Sequence, residues 1–249
     1  MEYPVVSPDQ AQVDRVVIVA ARNEADRIAT TIEALEQAFA GARLIVADDG
    51  STDATARLAT EAGAELSTRQ DGRRHRRGKG GAVSAAAESA LSSAAGSPST
   101  TFIFCDGDVG ESARRLPPLA DAVESGRCDL AIAKLVRSEG GGFGIALGFA
   151  RWATRSLAAL DLEAPLCGVR AVRADKLGKL LPLAPGYGME IGMNVDASRA
   201  GLRVSEIELD LTHRVTRRTP ADFLHRARQL VDFLRVYLSR RAAKKNKSG

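Results

Sequence analysis

Cysteine is scarce in this 249-residue chain: Cys105, Cys128 and Cys167 form an odd, widely spaced set with no C-x-x-C pair. That excludes a disulfide framework and a zinc knuckle, and a reducing cytoplasm is the expected home. Long apolar runs are absent too. The longest, Val16 to Ala21, falls far short of the ~20 residues that a membrane span needs. The N-terminus MEYPVVSPDQ lacks the charged-then-apolar pattern of a signal peptide, so neither secretion nor membrane insertion is expected. Aromatic side chains number eleven, and none lies in the basic stretch Arg73 to Arg77 where a nucleic acid would need a stacking surface. No internal repeat is found. What remains is a soluble chain of 45% hydrophobic residues, long enough to bury roughly 70% of its unfolded surface in one large α/β domain.

The net charge of +4 conceals an asymmetry. From Arg214 onward there are eleven basic and two acidic residues, net +9, which leaves residues 1–213 at −5. An acidic body carries a basic tail.

The first half alternates short β-type runs with helical ones. Arg15 to Ala21 is a continuous β-branched run, as expected of a strand buried on both faces. Ile28, Ile32, Leu35 and Phe39 recur every three or four positions, the spacing of one helix face. Leu44 to Ala47, Ala64 to Ser67 and Thr100 to Cys105 read as strands, with helices from the Thr52-Asp53 cap to about Glu61 and over Gly80 to Ala95. Polar clusters stand at strand ends, the pattern of a parallel sheet whose ligands bind beyond the carboxyl ends of its strands. The second half predicts a strand at Cys128 to Ala133, a mobile loop at Gly140 to Gly144 and a helix over Ile145 to Leu160. A return strand at Leu166 to Val172, a helix at Met189 to Ala200 and a strand at Arg203 to Leu211 follow, with Pro220 in the first turn of a final helix.

Four motifs occur in a fixed order. Ala20-Ala21-Arg22-Asn23-Glu24 closes the first strand, and Asp48-Asp49-Gly50-Ser51-Thr52-Asp53 closes the second. Gly78-Lys79-Gly80-Gly81-Ala82 opens a helix, and Asp106-Gly107-Asp108 ends the fourth strand. In this order the chain resembles the family 2 nucleotide-sugar glycosyltransferases of the GT-A fold, closely over residues 14–133 and more loosely to about 218. The resemblance extends to the polyprenyl-phosphate hexose synthases and the glucosyl-3-phosphoglycerate synthases. It implies a single-domain, Rossmann-like, mixed but mainly parallel sheet flanked by helices. The expected parts are an N-terminal extension (1–13), a catalytic domain (14–219) divided into nucleotide-sugar (14–133) and acceptor (134–219) halves, an amphipathic helix (220–241) and a basic tail (242–249).

Each motif has a physical reason to be there. Two carboxylates one residue apart on a turn suit a hard divalent cation, Mg²⁺ or Mn²⁺, which would offset charge on a departing diphosphate. By the resemblance, Asp108 is a metal ligand and Asp106 reaches the ribose or the metal. Taken alone, D-G-D is also a common turn. Asp48 and Asp49 are expected to accept hydrogen bonds from the nucleotide, although turn chemistry explains Gly50 to Asp53 equally well. Ala21, Arg22 and Glu24 would wrap the base. Lys79, flanked by glycines at a helix start, suits a diphosphate, while the P-loop spacing is missing. The nearby arginines fit an anionic substrate better than a nucleic acid.

In the second half, Leu166-Cys167-Gly168-Val169-Arg170 looks like the S-G-x-R segment of the polyprenyl-phosphate branch, with Cys167 in the serine position. Arg170 is expected either to bind an acceptor phosphate or to pair with a carboxylate. Glu190 is the candidate base for an acceptor hydroxyl. It departs from the family's E-D pair, since Met189 and Ile191 flank it, and a phosphate acceptor would need no base. His213 stands where some relatives complete the metal site, and Arg214, with Arg217 and Arg218, resembles a phosphate-contacting stretch. The final helix carries Phe223, Leu224, Ala227, Leu230, Val231, Leu234, Tyr237 and Leu238 on one stripe. That stripe packs on the body or a partner subunit, or else lies on an anionic membrane with the basic tail.

The resulting expectation is a metal-dependent glycosyltransferase moving a hexose from a UDP- or GDP-linked sugar to an unidentified, phosphate-bearing or polyprenyl-phosphate acceptor. It would be cytoplasmic or peripheral at the inner face of the membrane, with a homodimer as one state and no nucleic-acid partner. Two alternatives stand beside it: a nucleotidyltransferase on a related sheet, against which the absence of G-x-G-T-R counts, and a non-catalytic nucleotide- or membrane-binding protein.

Overall fold

The computed structural model describes residues 14–67, 78–93, 97–135, 144–211 and 220–245. Seven strands form one mixed sheet: β1 (Arg15–Ala21), β2 (Arg43–Asp48), β3 (Glu65–Ser67), β4 (Thr101–Asp106), β5 (Leu130–Leu135), β6 (Arg170–Arg173) and β7 (Val204–Leu209). Their spatial order is β3-β2-β1-β4-β6-β5-β7. All neighbours run parallel except β6, which is antiparallel to both β4 and β5.

The helices are α1 (Ile28–Ala38), α2 (Thr55–Glu61), α3 (Gly78–Ser92), α4 (Pro117–Glu124), α5 (Gly144–Ala158), α6 (Ala174–Leu177), α7 (Met189–Arg199) and α8 (Pro220–Lys245). Helices α1 and α4 pack with Val17, Val19 and Ile103 on one face of the sheet. Helices α3 and α7 pack with Val16, Ile18, Phe102 and Phe104 on the other. Strand residues of both parities are therefore buried, which is why β1 is a continuous β-branched run rather than an alternating one.

Strand positions match the expectations to within a few residues, except that the return strand begins at Arg170 instead of Leu166. A 3-10 turn (Gly110–Arg115) and α4 went unread in the sequence. The loop expected at Gly140 to Gly144 lies outside the described residues as far as Phe143, and Gly144 begins α5.

The final helix packs differently from expectation. Among its described side chains Phe233, Val236 and Tyr237 are buried and meet α5 and α7, with Phe149, Trp152 and Tyr237 in ring contact, while the side chains of Phe223, Leu224 and Ala227 lie outside the described residues. Val231, Leu234 and Leu238, placed on the packing stripe in the sequence reading, are 42 to 59% exposed, and Trp152 is 51% exposed beside Tyr237. The i, i+3, i+4 set that faces the body is rotated from the expected one because Asp232 and Arg240 also have partners there. Arg240 grips Asp196 of α7 at 2.6 Å. No helix among the described residues is long and apolar enough to cross a membrane.

Arg15 at the start of β1 fastens α4 to the sheet through a two-pronged pair with Glu124, at 2.9 and 2.8 Å. Burial disfavours the Glu124 carboxylate, but the Arg15 hydrogen bonds and charge, with smaller help from Thr101 and Arg173, together outweigh it and hold the pKa below its ordinary value. A carboxyl depressed in the fold stabilises fully above its unfolded pKa, and that contribution is lost as pH falls through the folded value. Glu124→Gln should therefore cost about 1 kcal/mol at pH 7 in urea unfolding. The gap to wild type should close below about pH 4; a gap that persists there would show that the pair contributes nothing through its charge.

Candidate active site

Register brings the motifs together before any side chain is considered. Ala21 of β1 lies opposite Asp48 of β2, and Ala20 lies opposite Asp106 of β4. The carboxylates that end β2 and β4 thus flank the end of β1 at one level, beyond the carboxyl edge of the sheet.

The loops there are tied to one another. Ser51 Oγ accepts the Asn23 amide at 3.0 Å, Thr55 Oγ1 accepts the Glu24 amide at 2.8 Å, and Asn23 Oδ1 accepts the Thr52 amide at 2.8 Å. Asn23 adopts a left-handed φ of 55°, a conformation asparagine tolerates better than most residues. Ser51 to Thr55 therefore serves to shape the Arg22 to Ala25 loop. Asp48 closes its own turn, accepting both the amide and the hydroxyl of Ser51. Of the aspartate pair, Asp49 is the one turned toward Arg22 and the start of α3. Burial raises its carboxyl above the ordinary value, against the pull of Arg22 and of the Gly78 amide that hydrogen-bonds to it.

The Asp106 to Asp108 turn is anchored from below. Gly107 donates to the Ala20 carbonyl at 2.9 Å, Thr31 Oγ1 donates to the Gly107 carbonyl at 2.8 Å, and Arg27 reaches the Asp108 carbonyl at 3.2 Å. Both carboxylates are half-exposed. They offer hard oxygen donors one residue apart, which fits Mg²⁺ or Mn²⁺, ions that commonly use one or two carboxylates together with substrate phosphates. Among the described residues no cluster of three or more His, Cys, Asp and Glu side chains joins them. His213 and Arg214 lie outside the described residues, as does the basic run Arg73 to Arg77.

Lys79, in the first turn of α3, links the two halves of the site. Its ammonium sits 2.5 Å from Asp106 and 2.8 Å from Glu190 of α7. Burial disfavours the ammonium, but the two carboxylates outweigh it and hold the pKa above the ordinary lysine value. Glu190 is only 5% exposed. Gly168 backs onto this pair so closely that a methyl group there would lie 2.5 Å from both Lys79 Nζ and Asp106 Oδ2.

Arg170, expected to meet either an acceptor phosphate or a carboxylate, points inward. It is fully buried at the start of β6, where its guanidinium donates to the carbonyls of Cys167 and Pro165 and to Asn194 Oδ1, at 2.8, 3.1 and 2.6 Å. Burial pulls its pKa below the ordinary value, with Glu190 the largest opposing influence. Positioned so, it shapes the 165–168 loop behind Asp106 and presents no surface to an acceptor phosphate. Cys167 lies in that loop, and burial pushes its thiol up to about 11, so it stays protonated at neutral pH.

Tyr187 was missed by the sequence reading. Burial raises its phenol, and the charges that bear on it include Arg22, Lys79 and Asp49, so it stands near the Lys79 pair. Its signal in the sequence was the flanking glycine pair in Gly186-Tyr187-Gly188.

The carboxyl edge of the sheet thus carries a carboxylate turn and a partly buried lysine that bridges two carboxylates. The chain belongs to Glycosyl transferase family 2, whose model matches residues 16–167, and the two sequence-level alternatives give way to it. Among solved structures it is similar to glucosyl-3-phosphoglycerate synthase from Mycobacterium tuberculosis in complex with Mg²⁺ and UDP, at 27% identity and a TM-score of 0.74. That likeness covers 93% of this chain and 80% of the other. The same enzyme with Mn²⁺, UDP and glucosyl-3-phosphoglycerate is 28% identical, with a TM-score of 0.70 over 93% and 81% of the two chains. A further mycobacterial protein is 29% identical, with a TM-score of 0.73 over 93% and 75%. No curated protein matches the chain by sequence.

Proposed function

We propose that this chain transfers a hexosyl group from a nucleoside diphosphate sugar, UDP- or GDP-linked, to a phosphate-bearing acceptor. The observation that carries this reading is the Lys79 ammonium, bound to Asp106 and Glu190 at the carboxyl edge of β1, β2 and β4. The solved relatives support it, since they were crystallised with UDP-glucose, Mn²⁺ and phosphoglyceric acid or glycerol 3-phosphate.

In this reading Asp49, Arg22 and the Ala21 to Glu24 loop receive the nucleotide, and Asp106 and Asp108 hold Mg²⁺ or Mn²⁺, with His213 as a third ligand. The chemistry supplied there by the metal is charge compensation for the departing diphosphate. Lys79 and Arg214 add fixed positive charge to the same end. Glu190 is the acidic group on the acceptor side of Lys79, the candidate to take a proton from an acceptor hydroxyl. Arg170 acts as a positioning residue. The exposed strip Val231, Leu234 and Leu238, with Arg235 and the tail, is where we place either peripheral membrane contact or a homodimer.

Thermal unfolding tests the reading. UDP-glucose or GDP-mannose with Mn²⁺ should raise Tm by about 5 °C at a hundredfold excess over Kd, and neither should do so in EDTA. The absence of a shift with any nucleotide sugar in Mn²⁺ would overturn it.

A further inference from the structure

Helix α8 is joined to the site by a stack of close contacts, in which its Asp232 and Val236 side chains meet the glycine backbone of the 186–188 turn. Its Asp232 accepts the Tyr187 amide at 3.2 Å. The same carboxylate presses on Gly186, which has a left-handed φ of 64° and has no room for a methyl group, and Val236 closes on Gly188 in the same way. On the far side of this turn, a methyl group on Gly78 would come 2.7 Å from the Gly186 Cα, and one on Gly80 would overlap the Ala184 carbonyl. Lys79 lies between those two glycines.

From α8 to Lys79 the path thus runs through the 186–188 turn and the first turn of α3, with bare glycine backbone at each interface. On the glycine side of each contact there is no rotamer to absorb a displacement, so close packing transmits it. We propose that Asp232 is a positioning residue for the donor site: by gripping the 186–188 turn it fixes the first turn of α3 and, with it, the Lys79 ammonium. The proposal builds on the donor-site reading above. It makes α8 part of the catalytic architecture, in addition to whatever its outer face meets.

Three variants of the full chain test it. Asp232→Ala should weaken UDP-glucose binding in Mn²⁺ about tenfold by calorimetry, which corresponds to ~1.4 kcal/mol, and should speed amide hydrogen exchange over residues 78–82. Asp232→Asn keeps an oxygen for the Tyr187 amide and should recover most of both. Asp196→Ala cuts the other anchor of α8, the Arg240 pair, and should lower Tm while leaving donor affinity and exchange at 78–82 as in wild type. Unchanged exchange at 78–82 in Asp232→Ala would overturn the proposal, as would an equal loss of affinity in Asp196→Ala. Wild-type protein that binds neither UDP-glucose nor GDP-mannose in Mn²⁺ would instead sink the donor-site reading, and the exchange experiment, which needs no ligand, would still decide the coupling.

Discussion

Lys79→Met should lower hexosyl transfer by about 100-fold and destabilise the fold by about 3 kcal/mol. Both effects have one origin. The ammonium is the shared partner of Asp106 and the nearly buried Glu190, so its removal leaves a carboxylate inside the protein without its cation. Electrostatic stabilisation by a preset cation is lost from the donor site at the same time. A double variant with Glu190→Gln separates the two. It should regain most of the stability, because the stranded charge is gone, and none of the turnover. Urea unfolding and a UDP-glucose turnover assay, read on the wild type and both variants, check this; a Lys79→Met enzyme as active as wild type would remove Lys79 from the chemistry.

Asp108→Ala should abolish the metal dependence of donor binding, so that UDP-glucose titrates with the same weak affinity in Mn²⁺ and in EDTA. The turn itself should survive. Its backbone is held by Thr31, Arg27 and the Ala20 carbonyl, none of which touches the Asp108 carboxylate through the bonds described above. Tm without ligand should consequently stay within about 2 °C of wild type. Unchanged Mn²⁺-dependent turnover in this variant would rule out the metal site assigned here.

Legibility of the fold followed burial. Strands β1, β2 and β4 are covered on both faces, so each is an unbroken apolar run that ends at a polar motif, and their positions are plain in the sequence. The 110–124 region was not, because a six-residue 3-10 turn followed by an eight-residue helix offers too few periods to register. Pro117 and Pro118 at the start of α4 were the available signal. In the final helix, a dozen apolar positions allow more than one stripe, and only the partners of Asp232 and Arg240 choose between them.

The candidate site was legible as a set of motifs but less so as a division of labour. Asp48 and Asp49 are equivalent on paper, yet Ser51 occupies one and leaves the other to face Arg22 and α3. Arg170 resembles a phosphate ligand in sequence, whereas its guanidinium organises carbonyl oxygens in the interior. That distinction depends on Asn194 and Pro165, 24 residues after and five before it, whose convergence on one guanidinium no local pattern announces. The pairing of Lys79 with Glu190 spans 111 residues and was equally hidden.

The antiparallel strand β6 has a consequence for how the chain is made. It sits between β4 and β5, yet it leaves the ribosome after both, 64 residues behind the end of β4. Until residue 173 has been synthesised, β4 has one open edge and β5 lacks both of its neighbours. The nascent N-terminal half is therefore an unfinished sheet with exposed pairing groups, the kind of species that aggregates or recruits chaperones. The bridge from β4 to β5 waits for the short strand whose first residue is the buried Arg170, so joining those strands and setting the loop behind Asp106 occur together, before β7 finishes the sheet.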